Sequence, residues 1–99
     1  MPDEPRYRTL IETPEYSAQF ALITKRHSVE VIESTLMGIF WGIATNPEKY
    51  DKVTWNIYVA KSHSFNPAIP MLKIFFGIEN ENEVLLLWIE EMTGTEQME

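Results

Sequence analysis

The sequence predicts one small α+β domain. Three observations predict it. Two stretches in the first half carry apolar residues at helical spacing, the second half carries alternating and β-branched runs, and 99 residues fit one core rather than two. A hydrophobic content of 44% supplies that core. A chain of this size buries roughly two-thirds of the surface its unfolded form exposes.

The elements follow in order. Tyr7 to Glu12 alternates weakly and reads as a short strand. Thr13-Pro14-Glu15 reads as a helix start: a capping hydroxyl, a proline where no N–H partner exists, and an acid that the helix dipole favours. Tyr16, Phe20 and Ile23 carry this helix to about Thr24. Lys25-Arg26-His27 breaks it, and Ser28 caps a second helix. There Val29, Ile32, Leu36, Ile39, Phe40 and Ile43 repeat at intervals of three and four. Gly38 and Gly42 share one face of that helix, where close packing is expected to offset their low propensity. Asn46-Pro47 ends it.

Val53 to Ala60 reads as a single strand, and the proline-bearing segment 61–70 as a loop. Met71 to Glu79 alternates, with Leu72, Ile74, Phe76 and Ile78 on one face and Lys73, Phe75 and Gly77 on the other. After a polar turn at 80–83, Val84 to Ile89 is a continuous apolar run, as expected of a central strand covered on both faces. These last two strands predict a hairpin from Met71 to Ile89 with the long helix over its sheet. The expected layout is a polar, disordered tail at 1–6, one domain at 7–91 and a flexible tail at 92–99.

Composition excludes several functions. With no cysteine there is no disulfide framework, thiol nucleophile or Cys-ligated metal. No basic segment leads into an apolar one as in a signal peptide, and the longest apolar-rich stretch, 36–44, is too short to span a membrane. A cytoplasmic location is therefore expected. The net charge of −7 argues against general nucleic-acid binding. Seven of the eight basic residues lie at or before Lys61; beyond it stands Lys73 alone, against seven acids. His27 and His63 have no carboxylate at ligand spacing, so no metal is expected. No phosphate-cradling glycine loop or nucleophile elbow calls for a cofactor. Trp41, Trp55 and Trp88 are expected in the core or at an interface. Phe75 becomes a partner-docking residue if its face of the strand is left uncovered.

The order of these elements resembles the RelE/ParE superfamily of toxins from bacterial type II toxin–antitoxin (plasmid stabilisation) systems. Thr13-Pro14-Glu15-Tyr16, Asn46-Pro47, Tyr58-Val59-Ala60-Lys61 and the closing hairpin with Lys73 carry the resemblance, which spans about residues 7–90. It implies an N-terminal strand and two helices packed on an antiparallel sheet completed by three C-terminal strands. It also implies an antitoxin partner. The target it implies is either mRNA on the ribosome, cut by an endoribonuclease, or gyrase, inhibited by binding. RNA cleavage to a 2′,3′-cyclic product needs a base, an acid and positive charge at the phosphate. Lys61, His63 and Lys73 are the candidate catalytic residues. The sequence departs from the ribonuclease pattern after the last strand, where Glu90 and Glu91 stand and the tail has no basic residue. The alternative is a non-catalytic protein-binding module of the same fold, and homodimerisation through Phe75 or the first helix suits either reading.

Overall fold

A computed structural model describes residues 7–62 and 70–92. Two helices lie on one face of a five-stranded mixed sheet. The strands are β1 (Thr9–Glu12), β2 (Asp51–Thr54), β3 (Ile57–Lys61), β4 (Leu72–Ile78) and β5 (Glu83–Glu91), and the helices are α1 (Pro14–Thr24) and α2 (Val29–Thr45). The sheet order is β1-β5-β4-β3-β2. β1 runs parallel to β5, and every other pair is antiparallel. The expected hairpin is present as β4–β5, with Ile78 opposite Val84.

Both helix starts form as their residues dictate. Thr13 and Ser28 cap α1 and α2 by accepting from the N–H groups of Tyr16 and Val31, and Pro14 occupies the first turn. Tyr16 and Ile23 from α1 and Ile32, Leu36 and Ile43 from α2 are buried. They meet Ala60, Leu72, Ile74, Phe76, Val84, Leu86 and Ile89 from the sheet. Phe76 is central: its ring stacks on Tyr58 and meets Tyr50 edge-on, with centroids 5.6 and 5.7 Å away.

The sheet differs from the expected one in three ways. First, Val53–Ala60 is two strands. The chain reverses at Trp55-Asn56, where Asn56 adopts φ 58° and its side-chain amide donates to the Ile78 carbonyl at 3.0 Å. Asparagine tolerates this left-handed conformation. Four strands therefore follow the helices rather than three, and the parallel β1 makes the sheet mixed. Second, β5 carries a bulge: Phe75 pairs with Trp88 but Phe76 with Leu86, leaving Leu87 as the extra residue. This lets both Leu86 and Ile89 point into the core, three positions apart. Third, β5 lies inside the sheet but is not fully buried on both faces, since Trp88 is exposed and Leu85 and Leu87 are half-buried. Met92, assigned to the tail in the sequence, belongs to the domain: it is buried and its N–H donates to the Met71 carbonyl at 2.8 Å. The other tail assignments, 1–6 and 93–99, lie outside the described residues.

The two helical glycines divide. A Cβ on Gly42 would collide with the Tyr50 hydroxyl, so close packing accounts for that residue. Nothing lies within 4 Å of the corresponding position on Gly38. Gly38→Ala is therefore expected to stabilise the protein by about 1 kcal/mol through helix propensity alone. Urea midpoints check this; a destabilised variant would mean that the site is not open.

Candidate functional site

The sheet face turned away from the helices carries a short row of charge at one end. Register places Lys61 of β3 opposite Lys73 of β4, and Lys73 opposite Glu90 of β5. Directly opposed residues on neighbouring strands share a face, so the three side chains form one row. Lys73 Nζ lies 3.9 Å from Glu90 Oε2, and the Lys73 side chain is 15% exposed. Lys61 is exposed and lines a depression of about 320 Å³ with Lys49, Tyr50, Asp51 and Val59. An apolar row, Val59, Phe75 and Trp88, runs beside the charges. Phe75 on this row is half-buried.

Two of the three sequence-predicted site residues are thus brought together. The third, His63, lies outside the described residues. Lys61 can present positive charge to an anion. Lys73 already faces a carboxylate, so a phosphate there must compete with Glu90. Among the described residues no histidine stands beside this row.

The one described histidine belongs to a different cluster. His27 Nε2 lies 3.0 Å from Glu91 Oε2, which places the proton on that nitrogen, and Arg26 donates to Glu91 Oε1 at 2.8 Å. This ties the α1–α2 connection to the end of β5. Burial alone would raise the Glu91 pKa. The hydrogen bonds from Arg26 and His27, then their charges, outweigh it and hold the carboxyl below its ordinary range. A depressed carboxyl contributes stability above its unfolded pKa and loses it as pH falls through the folded value. Glu91→Gln is expected to cost about 1 kcal/mol at neutral pH, after discounting for solvent screening. The deficit should vanish below the carboxylate range. Urea midpoints of both proteins between pH 7 and pH 2 check this, and a gap that does not narrow as the pH falls would refute the clamp.

Sequence reasoning placed the tryptophans in the core or at an interface. The structure exposes them: Trp41 is 60%, Trp55 82% and Trp88 37% exposed. Trp55 stands at the tip of the turn that the sequence did not reveal. Trp88 donates to Glu90 Oε1 at 3.0 Å and thereby joins the edge of the charged row.

Sequence reasoning also missed a groove between the helices. α1 rests on β5, while α2 rests on β1, β3 and the short 3-10 turn Pro47–Lys49. Between them lies a depression of about 400 Å³ with Tyr16, Phe20, Leu36 and Phe40 in its lining. One signal was available. Met37 and Trp41 sit four apart on α2, outside the apolar repeat that faces the sheet, and both are exposed.

These features define an α+β protein with a mixed sheet and a helical layer on one of its faces. No helix among the described residues is long and apolar enough to cross a membrane. No family model matches the chain, and neither a curated protein nor a solved structure shows significant similarity to it.

Proposed function

We propose that this chain is a RelE/ParE-like toxin component, or a diverged homologue, of a toxin–antitoxin system. The observation that carries the reading is the cross-strand pair Lys61–Lys73 on the sheet face turned away from the helices. The resemblance picked these two residues from separate segments, and the fold makes them neighbours. The N-terminal strand beside the C-terminal one, with two helices between them in sequence, supports the same reading.

As an mRNA endoribonuclease acting on the ribosome, the protein would use Lys61 and Lys73 to stabilise charge developing on the phosphate. An imidazole can act as base or acid, and His63 is the candidate for that role. Inducible expression, scored for growth and mRNA integrity with and without a co-expressed antitoxin, tests the reading. Lys73→Ala should reduce cleavage at least tenfold while leaving the protein folded. Undiminished cleavage removes the phosphate role. Unimpaired growth on overexpression removes the toxin reading.

One observation favours a second reading, a non-catalytic binding module that includes a gyrase inhibitor of the ParE type. Glu90 faces Lys73, and the row beside them, Val59, Phe75 and Trp88, is apolar. This surface suits a protein better than a polyanion. Growth inhibition with intact mRNA and loss of gyrase supercoiling would select it.

A further inference from the structure

The groove between α1 and α2 has the features of a docking site. Its buried floor is Tyr16 and Leu36, and Phe20 and Phe40 are half-buried along it. Tyr16 stacks on Phe20, with centroids 6.2 Å apart. Met37, 70% exposed, stands at the groove, and Trp41, 60% exposed, lies one turn further along α2. Exposed apolar side chains at this density mark a contact surface.

Two further observations say what covers it. The groove's exposed charged residues are both acids, Glu12 and Glu33. In addition, the Tyr16 hydroxyl is buried and finds no hydrogen-bond partner among the described residues. A buried hydroxyl without a partner costs free energy until something donates to it or accepts from it. Burial and then the charge of Glu12 hold this phenol strongly in its protonated form, so Glu12 acts on the same spot.

We propose that this groove binds a basic amphipathic helix of another protein. Its apolar face covers Phe20, Met37 and Phe40, and its Lys or Arg side chains meet Glu12 and Glu33. A helix fits where a strand does not. The groove's walls are helices whose backbone groups are already paired, and a docked helix satisfies its own backbone. Charge disfavours the other occupants. A second copy of this chain brings a net −7, and the segment 93–99 carries acids and no basic residue. The inference needs only the groove, so it stands or falls separately from the toxin reading.

The test uses the full chain and two synthetic 18-residue helical peptides. Both carry leucines at i, i+3, i+4 and i+7 spacing; one is flanked by lysines and the other by glutamates. Amide chemical shifts of the labelled protein report where each binds. The lysine peptide is expected to shift residues of α1 and α2, and the glutamate peptide to leave them unmoved. Glu33→Lys and Met37→Asp, both at exposed positions, should each weaken binding at least fivefold without lowering the unfolding midpoint. Shifts centred on Glu90 and Glu91 of β5, or affinity that neither variant changes, would overturn the proposal in favour of a general charge effect. A concentration-dependent dimer that Met37→Asp dissolves would overturn it in favour of self-association.

Discussion

Phe76→Ala is expected to cost about 3–5 kcal/mol of folding stability, the largest loss of any single truncation considered. The ring is fully buried on β4, stacked on Tyr58 and edge-on to Tyr50. Its removal therefore strips partners from β3 and from the segment entering β2, in addition to leaving a cavity. A domain of this size has about 5–15 kcal/mol in total, so the variant should keep its fold at low temperature and lose a large part of its urea resistance. Phe76→Leu fills most of the space and should lose less, about 1–3 kcal/mol. Equal losses for the two variants would show that the ring contacts, rather than the filled volume, carry the stability, and a loss below about 1 kcal/mol for alanine would show that the site collapses freely.

Thr13→Val is expected to cost about 2 kcal/mol, because one hydroxyl serves two elements. Thr13 Oγ1 accepts from the Tyr16 N–H at 3.3 Å, capping α1. It also donates to the Leu86 carbonyl at 2.7 Å, at the bulge of β5. The Thr13 N–H donates to the same carbonyl at 3.1 Å. The helix start is thereby fastened to the point where β5 changes its pairing. Valine keeps the shape and removes the hydroxyl, so both hydrogen bonds go together. Thr13→Ser retains them and should lose well under half as much. Amide exchange separates the two roles: the cap alone would quicken exchange at Tyr16, whereas loss of the tie would also quicken it at the β5 bulge. An unchanged β5 would reduce Thr13 to an ordinary cap.

The additional strand β2, at the edge of the sheet, shows where sequence reasoning stopped. Val53 to Ala60 is rich in β-branched and aromatic residues, with neither glycine nor proline to break it. Its turn residues are Trp55 and Asn56, and only asparagine's tolerance of a left-handed backbone marks the reversal. The bulge of β5 was equally hidden, since Val84 to Ile89 is apolar throughout and carries no alternation to lose its phase. The helices were legible because their signals are local: Thr13, Pro14 and Ser28 at the starts, Asn46-Pro47 at the end, and a buried stripe at helical spacing between.

The candidate site divides in the same way. Lys61 and Lys73 were legible as candidates, but their adjacency depends on β3 pairing with β4, which strand register decides. Glu90 was legible only as an acid near the end of the chain; across-strand pairing turns it into Lys73's neighbour. The groove that holds Tyr16, Phe20 and Phe40 was signalled only by Met37 and Trp41 outside the apolar repeat, because helical spacing assigns the three lining residues to a core and cannot tell which side chains a second helix will leave half-covered.

By itself, then, the sequence determined the class of the domain, both helices with their caps, and the closing hairpin, since each follows from periodicity and capping within a few residues. Only the tertiary structure decided the strand order, the parallel pairing of β1 with β5, the Lys61–Lys73–Glu90 row and the groove between the helices. The physical reason is that these depend on which distant segments share hydrogen bonds and which apolar faces meet. No local pattern encodes that choice, because the same alternation permits several partners and registers until the core closes over one of them.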